Sequence, residues 1–413
     1  MNKPQYFDAL ETRDAETRER ELFKKLPALI AHAISGAESV GLMLEGINPL
    51  DITDRGALAG LPVLRKSELL ERQIKQRPFG GFSATPRAGL LRVFGSPGPI
   101  YEPEAGRKDY WRLGRALYAA GFRAGDLVHN TFSYHFTPAG AMLESGAFAL
   151  GCTVFPAGVG QTELQAQTIA DLRPDGYVGT PSFLRIIIDK ADELGLDISS
   201  IHRALVSGEA LPPSLRSTIN SYGISVLQCF AIADIGLIGY ESEAQEGLIV
   251  DEGIILEIVR PGTGEPVAEG EVGEIVVTTF NEDYPLLRFG TGDLSAIMPG
   301  ASPCGRTNVR IRGWMGRADQ TAKVKGMFVH PSQINDVIKR HPEVVRARLI
   351  VENDGMNDIM TLHCETTGAS QDLADAIISS VRDVCKLRGE ICFVGIDSLP
   401  NDGLVIEDKR TYE

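Results

Sequence analysis

The 413-residue chain has no excess of basic residues, no C-x-x-C pair, no long apolar run and few aromatics, and each shortage closes off a class of function. Its 41 Lys plus Arg against 55 Asp plus Glu give a net charge of -14, which opposes a sequence-independent grip on a phosphate backbone. Nucleic acid is therefore not an expected partner. A locally basic pocket inside an acidic protein still leaves a phosphorylated small molecule open. The cysteines (Cys152, Cys229, Cys304, Cys364, Cys385 and Cys392) are scattered over a long chain, which reads as reduced, mostly buried thiols and a cytosolic setting. No stretch reaches the roughly 18 uninterrupted apolar residues of a membrane span. The opening MNKPQYFDALETRDAETRERELFKK carries acids and bases where a signal peptide needs an apolar core, so the expectation is a protein neither exported nor anchored. What is present, 43% hydrophobic, 23% charged and 7% aromatic residues, is the composition of a globular protein. The length allows two or three domains at roughly 150 residues each.

Local pattern divides the chain. Leu22, Leu26, Leu29, Ile30 and His32 with Ala33 recur at helical spacing and predict an amphipathic helix over 15–35. Helical patterns over 110–120, 140–150, 164–169, 181–194 and 213–222 are separated by short apolar runs at 126–129, 152–155, 176–178, 204–206 and 225–228. Such alternation predicts βαβ units around a mostly parallel sheet. After Ile249, runs such as IILEIVRPGTGEPV and EVGEIVVTT are cut by turn residues and predict hairpins in a small antiparallel or barrel-like element. From about Gln320 the strand-like TAKVKGMFV, a helix over 331–340, the runs ARLIV and IMTLHCE, a helix over 370–386 and ICFVGI predict a separate α/β unit of ferredoxin-like character. The expected division is 1–316 and 317–413, with no internal repeat.

Three stretches join Gly to polar residues beside apparent strands, where open α/β sheets put their ligand sites: VFGSPGPIYEP (93–103), VSGEALPP (206–213) and YPLLRFGTGDLS (284–295). Each alone reads equally as a turn. Together with SPCGRTNVRIRGWMGRADQTAKVKGMFVHPSQI (302–334), and with TVFPAGVGQTELQ followed by GTPSF, the chain resembles the adenylate-forming acid–CoA ligases, in the phenylacetate–coenzyme A ligase branch. The resemblance runs from YFDALET near the start through the last residues. It implies a large N-terminal domain of mostly parallel α/β layers with a small β-rich element, followed by a small mobile C-terminal α+β domain. It also implies ATP, Mg²⁺ and coenzyme A as co-substrates of a carboxylic acid. The acid attacks the α-phosphate, pyrophosphate leaves, and the thiol then displaces AMP. Such chemistry asks for a backbone cradle, cations and placement rather than a protein nucleophile.

By the same resemblance, Asp293 accepts the ribose hydroxyls, Gly208, Glu209 and Ala210 line the adenine side, Arg317 reaches the nucleotide and Asp319 is the hinge. For Asp293 a turn or cap residue, and for Arg317 a surface ion pair, are the plain alternatives. The family's phosphate loop, roughly S-S-G-T-T-G-K-P, reads here Ser96, Pro97, Gly98, Pro99, Ile100, Tyr101, Glu102, Pro103. Ser96 and Gly98 survive, two prolines remove N–H donors, and Glu102 stands in place of a phosphate-neutralising Lys, opposing ATP by its sign. The motif Y-G-x-[ST]-E reads Phe230, Ala231, Ile232, Ala233, Asp234. Asp234 is a candidate for Mg²⁺ or, equally, a buried cap on a helix over 236–240. Where the family has a catalytic Lys after Gly, Leu404 follows Gly403, and Lys409 is the nearby substitute or a solvated surface residue. A structural zinc seen in some relatives would fall near Glu241, Ile249, Ser302 and Cys304; one thiol cannot close that site, so no zinc is expected and Cys304 is expected to be an inert buried thiol. Tyr134, His135, Phe136, Gly158 and Gly160 should border an acid pocket suited to a flat aryl or short acyl group. His135 either meets the carboxylate or satisfies a neighbouring carbonyl. Dimers are common in the family, and nothing in the periodicity speaks for or against one. Losses at Glu102, Ala233 and Leu404 support an alternative, a degenerate adenylation fold that binds nucleotide, acyl-CoA or a protein partner without ATP chemistry.

Overall fold

The computed structural model describes residues 6–96, 100–315, 318, 322–325, 327–329, 331–353, 357–400 and 404–410. They fall into two compact units, Met1–Met315 and Gly316–Glu413.

The large unit opens with α1 (Ala15–Gly36), capped by the Asp14 carboxylate, which accepts the Thr17 N–H; its buried stripe is Leu22, Leu26, Leu29, Ile30 and Ala33. Three short helices follow, α2 (Glu38–Met43), α3 (Arg55–Ala59) and α4 (Lys66–Lys75), the last running directly out of the two-residue strand β1 (Leu64–Arg65). An antiparallel hairpin, β2 (Leu90–Ser96) with β3 (Ile100–Ala105), carries the divergent phosphate-loop stretch.

The alternating region forms α5 (Leu113–Ala119), β4 (Leu127–Asn130), α6 (Ala139–Leu150), β5 (Thr153–Phe155), α7 (Thr162–Leu172), β6 (Gly176–Gly179), α8 (Pro181–Leu194), β7 (Arg203–Val206), α9 (Pro213–Ser221) and β8 (Ser225–Ile232). β5, β4, β6, β7 and β8 lie parallel in that order. Period-two alternation sends neighbouring residues to opposite cores. Val178, Leu205 and Leu227 join Leu113, Leu117 and Leu143 on one side. Tyr177, Ala204 and Val226 join Ile169, Leu184 and Ile187 on the other.

Beyond β8 the sheet turns antiparallel through β9 (Gly236–Tyr240) and β10 (Leu248–Val250). The alternative of a helix over 236–240 is overturned. This run has Leu237 and Ile238 both fully buried, so it pairs as an interior strand, and a short continuous apolar run carries no period that separates the two outcomes. A second sheet, order β1-β13-β12-β11, is built from β11 (Ile254–Val259), β12 (Gly273–Thr279) and β13 (Phe289–Ser295), antiparallel except where β1 joins β13 in parallel. This is the β-rich element expected after Ile249. β14 (Ile297–Met298) and β15 (Arg310–Ile311) complete the first sheet at its β10 edge.

The small unit has an antiparallel pair, β16 (Ala322–Val324) and β17 (Met327–Val329), then α10 (Pro331–Lys339), β18 (Arg346–Asn353), β19 (Asp358–Glu365), α11 (Gln371–Cys385), β20 (Glu390–Val394) and β21 (Ile406–Asp408). Its four-stranded sheet runs β20-β19-β18-β21 and shares one core with both helices through Leu349, Val351, Leu362, Ile334, Ile377 and Val381. All six cysteines are free, and five are buried. Among the described residues no helix is long and apolar enough to cross a membrane.

Candidate active site

The parallel strands β4, β6, β7 and β8 end at one edge, and the loops leaving them carry most of the singled-out residues. Backbone bonds gather these loops. Gly95 N–H on the hairpin donates to Phe136 O at 2.8 Å, and Ser207 N–H donates to Gly179 O at 3.2 Å. The Ser207 hydroxyl donates to Cys229 O at 2.8 Å. Gly208 has φ +85°, and a Cβ there would meet Thr180 and Phe132 at ordinary van der Waals distance. Glu209 accepts the Ser182 N–H at 2.7 Å, so its side chain caps α8, and Ala210 follows in the same loop. Phe230 and Ala231 lie at the end of β8, where the pairing with β9 shifts register, and Asp234 sits in the β8–β9 turn.

Glu102 and Asp234 form a buried acid pair. Glu102 is 0% exposed; its Oε1 accepts the Ser96 hydroxyl at 2.6 Å and its Oε2 has no hydrogen-bond partner. Asp234 is buried too; its Oδ2 accepts from the Lys66 ammonium at 2.8 Å and its Oδ1 has no hydrogen-bond partner. Lys66 reaches this turn because β1 docks on β13 and α4 starts at the next residue. Gln73, two turns along α4, exchanges both amide bonds with the Tyr101 backbone at 2.8 Å, which fixes the helix to β3. Burial, and next the charge of Asp234, push the Glu102 carboxyl up to about 8, against the Ser96 hydrogen bond and Lys66. Burial therefore favours the uncharged form of Glu102. The expectation that an acid at 102 opposes ATP by its sign took no account of burial: the side chain is turned into the fold, where desolvation favours its uncharged form, and the cation acting on it is Lys66, which no motif marks in the sequence. As a magnesium ligand Asp234 fits poorly, since an ammonium already neutralises it, and among the described residues no group of three acids, His or Cys could hold a metal ion.

Asp293 lies within β13, not in a turn or cap. It is buried, its N–H donates to Thr291 Oγ1 at 3.1 Å, and its Oδ1 accepts from the Trp314 indole at 3.0 Å. Gly292 before it adopts φ +74°, a conformation that favours glycine.

The expected acid-pocket residues separate into two kinds. The Tyr134 hydroxyl accepts from Asn130 at 2.8 Å and donates to Glu144 at 3.0 Å, so it serves the fold of its own loop. His135 and Phe136 are exposed, Phe136 by 85% at φ +61°, and the His135 ring takes no partner among the described residues; the reading in which it satisfies a carbonyl is not what the structure contains. Gly158 and Gly160 have positive φ and open space where a Cβ would stand. Their carbonyls accept from the Gln165 amide at 2.9 and 3.2 Å, and Gln165 Oε1 lies 2.6 Å from His129 Nε2. The His129 imidazole stacks on Phe155, and burial holds its pKa below the usual value, so the neutral ring donates from Nε2. Neither His129 nor Gln165 carried a sequence signal.

Of the four positions Glu241, Ile249, Ser302 and Cys304, two are taken up by the fold. Glu241 accepts from Arg216 at 2.8 and 2.9 Å, and Ile249 is a core residue of β10. The Cys304 sulfur lies 3.1 Å from the Ser302 hydroxyl and 3.6 Å from an Arg306 nitrogen. Burial raises this thiol's pKa, but hydrogen bonds from Ser242, Ser302 and Arg306 outweigh it and hold the pKa below the ordinary value, so the thiol is buried but more acidic than an inert one. In the small unit, Lys409 is 44% exposed with its ammonium 3.5 Å from Glu407. Gly98, Arg317, Asp319 and Gly403 lie outside the described residues.

The AMP-binding enzyme family matches residues 109–281. The phenylacetate–coenzyme A ligase of Thermus thermophilus is 30% identical over 94% of this chain and 91% of that one. The enzyme of the same name from Aromatoleum evansii is 30% identical over 78% of this chain and 75% of that one. The chain belongs to the phenylacetate–coenzyme A ligase family of adenylate-forming enzymes. Its fold matches 2-hydroxyisobutyryl-CoA ligase in complex with 2-HIB-AMP and CoA, with a TM-score of 0.83 at 23% identity over 99% of this chain and 94% of that one. Fold class and membership in the acid–CoA ligases are thereby established.

Proposed function

We propose that this family member joins a carboxylic acid, aromatic or short acyl, to coenzyme A at the expense of ATP. In the first step a carboxylate oxygen bonds to the α-phosphorus and the bond to the pyrophosphate oxygen breaks. In the second, the thiol sulfur bonds to the acyl carbon, AMP leaves and the thiol proton is released. Asp293 accepts the ribose hydroxyls, and the backbone of Gly208, Glu209 and Ala210 lines the adenine. Magnesium enters as the counter-ion of the triphosphate. The observation that carries this reading is the burial of Glu102: its side chain is enclosed by the fold and bonded to Ser96, and desolvation there favours the uncharged carboxyl, so the residue that argued most strongly against ATP is not a free surface acid.

A second reading has its own observation. Ser96, the hydroxyl retained from the phosphate loop, is buried and bonded to Glu102, which withdraws it from a phosphate and favours a protein that binds nucleotide or acyl-CoA without adenylation. Calorimetric titration with Mg·ATP, AMP and coenzyme A separately decides between them. Saturable Mg·ATP binding that disappears in Asp293→Ala, followed by pyrophosphate release with a panel of aryl and short acyl acids, supports the ligase. Binding of AMP or coenzyme A but not Mg·ATP supports the second reading. We also propose a cytosolic location, in keeping with six free thiols.

A further inference from the structure

The polypeptide leaving β13 turns back alongside it. Arg312 N–H donates to Ala296 O at 3.0 Å and Met315 N–H to Leu294 O at 2.9 Å. The Ser295 hydroxyl donates to Gly313 O at 2.7 Å, and Gly313 takes φ +90° to make the bend. Trp314 is thus pinned by backbone bonds on both sides, and its indole N–H donates to Asp293 Oδ1 at 3.0 Å. The ring is 36% exposed, whereas the other tryptophan of the chain, Trp111, is 2% exposed. An indole this exposed can satisfy its N–H with water. Pairing it with a buried carboxylate is a charge-assisted bond that orients the carboxylate.

We infer that Trp314 is a positioning residue of the nucleotide site, holding the Asp293 carboxylate in one rotamer so that a ribose meets an acceptor already in place. The inference rests on the reading of Asp293 as the ribose acceptor. A carboxylate that loses this bond must be ordered further on binding, and immobilising one such side chain is worth about 3- to 10-fold in affinity. The nearest plain reading makes Trp314 a surface aromatic that merely steadies the end of β13. That reading predicts equal effects on every nucleotide, which makes the two separable.

The test is calorimetric titration of the full chain with AMP and with 2′,3′-dideoxyadenosine 5′-monophosphate, in the parent, Trp314→Phe, Trp314→His and Asp293→Ala. Trp314→Phe is expected to weaken AMP about 3- to 10-fold and leave the dideoxy analogue unchanged, since that ligand has no hydroxyl for Asp293 to accept. Trp314→His, which keeps a ring N–H donor, is expected to recover part of the loss. Equal weakening of both nucleotides, or of neither, overturns the role of Trp314; the ribose reading survives if Asp293→Ala still reduces AMP to the level of the analogue. Asp293→Ala binding AMP as the parent does, or AMP showing no saturable binding, overturns both. Should the substitutions at 314 fail to fold, tryptophan emission of the parent chain serves instead. Emission that changes with AMP at the calorimetric midpoint supports the placement, and emission that stays constant through saturation overturns it.

Discussion

Replacing Glu102 by Gln should stabilise the protein at high pH and do nothing at low pH, the reverse of the usual outcome when a buried hydrogen-bonded side chain is changed. The folded chain holds the Glu102 proton up to about pH 8, while the unfolded chain releases it near the ordinary 4.5. Between those limits the native state binds more protons than the unfolded state, so stability falls as pH rises. The full span corresponds to roughly 4–5 kcal/mol at about 1.36 kcal/mol per pH unit. Relaxation of the fold and water entry around an ionised Glu102 offset part of this, and we expect about 2 kcal/mol between pH 5 and pH 8. Gln is neutral throughout and keeps an acceptor for the Ser96 hydroxyl. Urea unfolding at pH 5, 6, 7 and 8 should give curves that coincide near pH 5 and separate steadily above it, the variant lying about 2 kcal/mol higher at pH 8. Repulsion from the net charge of -14 is nearly common to both proteins and leaves the difference in slope intact. Parallel profiles for parent and variant would refute the reasoning, because they would mean that Glu102 is ionised in the folded state just as it is in the unfolded one.

Two further substitutions probe the same region. Lys66→Met leaves the Asp234 carboxylate buried without its ammonium and should cost about 3 kcal/mol in urea unfolding, with Lys66→Met/Asp234→Asn recovering at least half; additive losses would mean the ion pair is not what holds the turn. At Gly236 the backbone has φ +83° and a Cβ would stand 2.7 Å from the Trp111 carbonyl oxygen, so Gly236→Ala should cost about 2–3 kcal/mol. A thermal midpoint unchanged from the parent would show that the β8–β9 turn relaxes freely.

Much of the architecture was legible because it is local. The alternation of helical stripes and short apolar runs from Arg107 to Leu227 is a statement about residues a few positions apart, and the parallel layers follow from it. The short run at 236–240 was not legible, since an apolar stretch buried on both faces has no period to read. Residue types at the candidate site were visible too, as were the prolines beside Ser96 and the shortened acid at 234. What could not be seen was the state of those residues. Burial and the neighbouring Asp234 raise the Glu102 pKa, and Asp234 takes its cation from Lys66, 168 positions away in the chain. Tyr134 looked like a pocket wall and is a brace for its own loop, while His129 and Gln165, which shape the Gly158 to Gly160 turn, have no motif to announce them.

The sequence by itself determined the family, the βαβ order and the set of polar residues available near the ends of the strands. These depend on spacing along the chain and on side-chain chemistry, which are written in it directly. Only the tertiary structure decided which carboxylates are buried, which hydroxyl is already spent and which ammonium answers them. A pKa or a hydrogen bond is set by desolvation and by partners brought close by folding, and neither has any fixed relation to distance along the chain.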